Sequence, residues 1–403
     1  MMSFLSILFI FVIYWLGNQI GGKKVGGLSA IFAAIAPAQI SNSLSVWNPA
    51  IVPLLSAIIL LFVVQYFNFR KARDIFLFGF TLSLAMSIHF QSMLLFPTLI
   101  ILLFVTRPSK KHLSYLILGL LIPFLPLIYF DIKHDWYNFK SVFIYLFIDQ
   151  FSIWVPNRWL SYIFSYWPET WSHVIGGFKF LSGSIIVLLS IFTISNIKKL
   201  NNYKVFYLIA SIFVLEIVLY RYRGPRYEYY SFFTHPYVLL LSAWTLKKLT
   251  EIQKLIGIIF IIAIVVATLN QSIYDLKETQ ISLKKIKNLK TEIYSAFPSQ
   301  KFDIYSCPFS GGVVAHPLSL SMYHDGRNSE AGIGIMACEQ SKGLTWDYIP
   351  KNKIPKDANY YSLSTSRVYR TTAEWWKNNP PKSSDFFDFI KRKLNPSCYP
   401  HCS

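Results

Sequence analysis

Apolar runs of roughly membrane length alternate with short polar connectors from residue 2 to residue 271. A helix needs about 20 residues to cross the hydrocarbon core of a bilayer. The pattern therefore predicts a polytopic α-helical membrane protein of about ten transmembrane helices, at 2–17, 25–41, 47–67, 74–89, 91–106, 113–130, 175–196, 203–220, 232–246 and 254–271. The fourth and fifth are separated only by His89-Phe90-Gln91. Their combined run exceeds one span and basic clusters flank both ends, so a tight helical hairpin is expected rather than one long helix. Pro37, Pro49, Pro53, Pro97, Pro123 and Pro126 fall at or near the expected interfaces, where proline starts or kinks a helix.

The polar connectors are of two kinds. Every second one is basic: Lys23/Lys24, Arg70/Lys71/Arg73, Arg107/Lys110/Lys111, Lys198/Lys199/Lys204 and Lys247/Lys248/Lys254. The positive-inside rule places these in the cytoplasm and the others outside. The outward set holds Trp47-Asn48-Pro49, His89-Phe90-Gln91, Asp131 to Asp135 and Arg221 to Arg226, and the C-terminal tail follows on the same side. The first run lacks a basic n-region and a small-residue cleavage site, so it reads as a span rather than a signal peptide. Its start would then lie outside, the topology expected if a helix and an external loop preceded it.

This divides the chain into a membrane domain (1–272), a Lys-rich connecting helix (273–299) and a small extracytoplasmic α/β domain (300–403). Residues 131–174 form a long aromatic outer segment, with 139–151 predicted as an amphipathic helix in the membrane plane. In the connecting helix, Leu283, Ile286, Leu289 and Ile293 recur at helical spacing.

Composition agrees. The chain is 53% hydrophobic and only 15% charged, less charge than a soluble domain of this size carries. Its net charge of +19 would suit nucleic acid if it were concentrated. It is spread instead over short membrane turns and an outer Lys-rich segment, which points to anionic lipid and not to nucleic acid. All four cysteines, Cys307, Cys338, Cys398 and Cys402, lie in the tail. An oxidising exterior permits disulfides there. Of the three possible pairings, Cys307–Cys338 with Cys398–Cys402 is the simplest; four free thiols are the alternative. No paired C-x-x-C motif supports a zinc site.

The most pronounced chemical feature is the run Arg221-Tyr222-Arg223-Gly224-Pro225-Arg226-Tyr227-Glu228-Tyr229-Tyr230. It sets guanidinium forks and phenols at the outer end of a span, against the charge trend. Such forks match phosphate oxygens, so Arg221, Arg223, Arg226 and Tyr227 are candidates for a lipid phosphate. Anchoring to bulk headgroups is the plainer account. His89 and Gln91 either satisfy helix-end backbone or bind a sugar hydroxyl or phosphate. Asn48 and Pro49 suit a helix start and Trp47 a membrane interface, which accounts for all three; stacking of Trp47 on a sugar would be an addition. Asp131, Lys133, His134 and Asp135 follow the sixth span; a carboxylate there could serve as general base or hold a divalent cation, and solvated residues where a helix leaves the membrane are the equal alternative. Glu216 lies inside a predicted span, where an acid is costly and often functional; a pair with Arg221 or Arg223 is the alternative.

In the order of these motifs the chain resembles the GT-C fold glycosyltransferases of the protein-mannosyltransferase and aminoarabinose-transferase type. The resemblance rests on Tyr14 to Gly27, Ser45 to Pro53, Gly79 to Pro97, Pro123 to His134 and the Arg/Tyr turn. It implies inverting transfer of a sugar from a polyprenyl-phosphate carrier to a lipid, glycan or protein acceptor outside the cytoplasmic membrane. It also implies a catalytic Asp in the first external loop. Asp74 is the first acid of this chain and lies in a basic, cytoplasmic connector, so no residue here inherits that role. A non-enzymatic binder or transporter of lipid-linked sugars, or a glycan polymerase or ligase, would share the outer chemistry.

Overall fold

The computed structural model describes residues 2–44, 47–147, 158–196, 202–222, 228–278, 283–306, 315–329, 332–340 and 343–349. The chain divides into two compact units with the boundary between Leu276 and Lys277.

The first unit is helical. α1 (Met2–Gly21), α2 (Lys23–Ile35) and α3 (Pro37–Leu44) lead to a 3-10 turn (Asn48–Ile51), α4 (Val52–Phe69) and α5 (Ala72–Ile88). A second 3-10 turn (Phe90–Leu95) precedes α6 (Phe96–Thr106), α7 (Lys110–Lys133) and α8 (Tyr137–Phe147). The short α9 (Arg158–Ser161) runs through a π-helical turn (Tyr162–Tyr166) into α10 (Trp167–Ser172). α11 (Lys179–Asn196), α12 (Tyr203–Arg221), a third 3-10 turn (Glu228–Thr234), α13 (His235–Ile252) and α14 (Lys254–Glu278) complete it.

Five described helical segments are long and apolar enough to cross a membrane: Met2–Gly21, Asn48–Phe69, Lys110–Lys133, Tyr203–Arg221 and Lys254–Leu276. The α2–α3 pair, bent by 55°, makes a sixth if it is one broken span. This is fewer than the ten expected. α6 and α11 belong to shorter apolar stretches, Phe90–Thr106 and Lys179–Ser195. The expected span 25–41 is broken because Pro37 disfavours helical backbone at the residue before it, and Ala36 is extended at φ −62°, ψ 125°. The break at His89 is also present. The helices on either side do not pair as a hairpin, however: α5 packs mainly on α4 and α7, and α6 on α12. α5 and α7 approach through glycines. A Cβ on Gly79 would meet the Leu116 carbonyl, and one on Gly119 the Phe76 carbonyl. Small residues of this kind let helix backbones come together in lipid.

α13 is the central helix. Every side chain from His235 to Leu246 is buried, and α1, α2, α4, α11 and α12 pack around it. At the periphery, α7 exposes Ile117, Leu118, Leu121, Leu125 and Ile132, while α14 exposes Ile256, Ile259, Ile262, Val266 and Leu269. So much contiguous apolar surface suits lipid and not water.

The basic connectors gather at one end of this unit. Lys204 Nζ donates to the Gln19 carbonyl at 3.3 Å, and Asn202 Nδ2 to the Ile20 carbonyl at 3.2 Å. Asn68 Nδ2 donates to Gln19 Oε1 at 3.4 Å, and Arg70 Nη1 to the Thr106 carbonyl at 2.9 Å. Lys23 and Lys24 share a groove with Lys247 and Lys254. The alternation of charge along the sequence is thus realised as an end-to-end difference in space.

In the second unit, β1 (Phe302–Ser306) pairs parallel with β2 (Ile333–Gln340), and β2 antiparallel with β3 (Gly343–Ile349), in the order β1-β2-β3. α15 (Leu283–Ala296) precedes the sheet, and α16 (Ala315–His324) lies between β1 and β2 in the chain. The apolar stripe of α15, Ile286, Leu289 and Ile293, packs with Phe302, Ile304, Leu318, Met322 and Ile335. The Lys-rich segment anticipated as a connector therefore supplies part of this unit's core.

Candidate functional site

Three connectors expected to face outward meet at one place. Trp47 introduces the turn before α4, His89 ends α5, and Tyr229 lies in the turn before α13. The Trp47 ring stands edge-on to Tyr229 at 5.2 Å and to Phe232 at 6.1 Å. His89 meets Tyr229 at 5.9 Å. Tyr230 stacks edge-on against Tyr229 at 4.7 Å and Tyr222 at 5.8 Å, which joins the end of α12 to the cluster. Edge-to-face pairs of this kind are favoured by the ring quadrupole. Trp47 remains 41% exposed, so part of its aromatic surface is open.

Asn48 does not cap its own helix, contrary to the sequence expectation. Its Nδ2 donates to the Ile88 carbonyl at 3.0 Å, satisfying an orphan acceptor at the end of α5 and tying two connectors together. His89 is buried. Gln91 is half-buried in the turn that follows.

Beneath the aromatic layer is a polar one that the sequence did not reveal. Gln39 Nε2 and His235 Nδ1 lie 2.7 Å apart, both buried, and Phe232 covers His235 at 5.0 Å. The His173 carbonyl accepts from the Ala38 amide at 2.9 Å, holding the start of α3. Asn42, also on α3, is buried with its Nδ2 unbonded among the described residues. A buried amide nitrogen without an acceptor is costly and is a natural contact for a bound polar group. The available signals were weak: polar residues in the half-helix after Pro37, and a His-Pro pair opening a span.

The acids at the end of α7 occupy a different setting. Asp131 is buried; its Oδ1 accepts from the Asn138 amide at 3.0 Å and from Asn138 Nδ2 at 2.9 Å, and its Oδ2 accepts from the Phe139 amide at 3.0 Å. Its carboxylate thus caps α8, and both oxygens are committed. Asp135, in left-handed backbone at φ 50°, pairs with Lys140 at 2.7 Å. His134 Nδ1 contacts the Phe130 carbonyl at 2.7 Å, with its ring stacked on Phe130. The hydrogen bonds described for Asp131, His134 and Asp135 join α7, α8 and the turn between them.

Glu216 also departs from expectation. Its partner is no arginine: Tyr162 Oη donates to Oε2 at 2.6 Å, and Trp171 Nε1 to Oε1 at 3.5 Å. The π-helical turn positions Tyr162 for this bond. Arg221 ends α12 and is exposed. Arg223, Arg226 and Tyr227 lie outside the described residues, as do Cys307, Cys398 and Cys402. Cys338 is disulfide-bonded. No group of three His, Cys, Asp or Glu among the described residues is arranged to hold a metal ion.

No protein-family model, curated protein or solved structure matches this chain.

Proposed function

We propose that this chain is a membrane glycosyltransferase of the GT-C type, taking a sugar from a polyprenyl-phosphate carrier to an acceptor outside the cytoplasmic membrane. The observation that supports the reading is the convergence of Trp47, His89 and Tyr229 at the end of the helical unit away from its basic connectors. An exposed indole beside phenol hydroxyls suits the apolar face and hydroxyl rim of a sugar. The Arg221 to Arg226 turn, which adjoins Tyr229 in sequence, supplies guanidinium groups for the leaving phosphate, where negative charge develops during transfer. One observation favours binding without transfer: Asp131, a candidate base, already accepts three hydrogen bonds from the first turn of α8.

The test uses the purified chain in phosphatidylcholine nanodiscs with a radiolabelled polyprenyl-phosphate sugar. Trp47→Ala lowers affinity by about threefold to tenfold, as loss of an aromatic contact would. Arg223→Ala or Arg226→Ala lowers it by about tenfold or more, the worth of a charge-assisted hydrogen bond. Release of polyprenyl phosphate with formation of a glycosylated acceptor supports the transferase reading. Retention of intact carrier without product leaves the binding protein. Wild-type affinity no greater than that for polyprenol would overturn both.

A further inference from the structure

The opposite end of the helical unit carries a second binding surface, and it is independent of the transferase reading. A groove of about 730 Å³ opens between the first turns of α2, the last turn of α13 and the first turns of α14. Its rim is cationic, formed by Lys23, Lys24, Lys247 and Lys254. The single acid in the lining, Glu251, is already paired with Lys247 at 2.9 Å and Lys248 at 2.8 Å. Among the described residues, Lys23, Lys24 and Lys254 have no acidic partner. All three stand in the first turn of a helix, where the macrodipole makes positive charge unfavourable, so an anion at the rim relieves both kinds of repulsion.

The wall below the rim is apolar. Leu28 and Ile31 face the groove from α2, and Ile258 and Ile261 from α14. Ile31 is 50% exposed and Ile258 41%, so this wall lacks a protein cover. At 1.5 Å per residue it extends about 10 to 12 Å from the lysines, enough for the upper half of an acyl chain. α14 is long and apolar enough to cross a membrane, and α2 is half of the bent pair, which puts the lysines at headgroup depth.

We infer that this groove binds one molecule of an anionic membrane phospholipid, with its phosphodiester among Lys23, Lys24 and Lys254 and an acyl chain along Leu28, Ile31, Ile258 and Ile261. A free phosphate would use the rim alone and leave the wall uncovered. Basic pockets between membrane helices on the positive side hold anionic headgroups in this way.

The experiment measures phosphatidylglycerol retained by the full chain, using native mass spectrometry from micelles of defined lipid content. The triple variant Lys23→Gln/Lys24→Gln/Lys254→Gln loses at least about tenfold in affinity, while Lys110→Gln/Lys111→Gln, at another basic connector, retains it. Inorganic phosphate does not displace the lipid at equimolar concentration. Equal losses in both variants would mean diffuse attraction to the basic end, and displacement by phosphate would mean a site for the free ion; either overturns the inference. Should the triple variant fail to fold, a photoactivatable phosphatidylglycerol on the wild-type chain decides: cross-links at residues 23–31 and 250–261 support the groove, and cross-links confined elsewhere exclude it.

Discussion

Replacing Glu216 with leucine tests how the helical unit holds an acid inside a membrane-length helix. Glu216, Tyr162 and Trp171 are all buried, at 5%, 2% and 1% exposure. Leucine preserves most of the volume but accepts no hydrogen bond. The Tyr162 hydroxyl then loses its 2.6 Å acceptor in a buried setting, at a cost of about 1–3 kcal/mol. The Trp171 bond is long at 3.5 Å and adds less, so Glu216→Leu destabilises by about 2–4 kcal/mol. The same reasoning requires a rescue. Tyr162→Phe/Glu216→Leu removes the donor together with its acceptor and recovers at least about 1 kcal/mol relative to Glu216→Leu, because contacting partners are not additive. Unfolding in mixed micelles titrated with dodecyl sulfate, followed by circular dichroism, gives all four corners of the cycle. A Glu216→Leu chain as stable as wild type, or a double variant whose loss equals the sum of the singles, would refute the account.

Asp131→Ala uncaps α8 and costs about 1–2 kcal/mol locally; amide exchange at Asn138 and Phe139 accelerates by about tenfold, and unchanged exchange would show that the carboxylate is not the cap. In the small unit, Lys290 and then Tyr294 hydrogen-bond the Asp325 carboxylate and hold its pKa below the ordinary value. The folded form therefore resists protonation that the unfolded chain accepts. The stabilisation is complete above about pH 5 and is lost as pH falls through the ordinary carboxylate range, about 4, toward the lower folded value. Urea unfolding of the full chain, read by proteolysis within residues 283–349, shows this acid limb in wild type and a weaker one in Asp325→Asn. Identical pH profiles would remove Asp325 from the explanation.

What could be read from the sequence was what local composition encodes. The basic connectors were legible because charge alternation is a pattern along the chain, and their hydrogen bonds, such as Lys204 to Gln19 and Arg70 to Thr106, bring them to one end as that alternation requires. The stripe Ile286, Leu289 and Ile293 was legible for the same reason, although its burial in the small unit's core was not. Partners far apart in the chain left no such trace. Gln39 finds His235 across 196 positions, and Asn48 finds the Ile88 carbonyl, an acceptor no side-chain pattern advertises. Glu216 misled because an intramembrane acid invites a search for a cation, whereas its partners are neutral donors. Pro37 was assigned to an interface, yet its effect on Ala36 bends the helix pair and starts the segment that carries Gln39 and Asn42.

That bend connects backbone chemistry to the site. Had α2 continued straight through residue 37, Gln39 and Asn42 would follow the axis of α2 instead of a direction 55° from it. Proline at 37 breaks the helix without a charged residue, and the His173 carbonyl takes the Ala38 amide that the broken ladder leaves unpaired. The polar layer under Trp47 and Tyr229 therefore depends on one imide and one backbone hydrogen bond. Each of its polar groups then needs a partner of its own. His235 has Gln39, whereas the Asn42 amide nitrogen has none among the described residues. One demand for a bound acceptor thus falls on Asn42, a residue set in place by the same break.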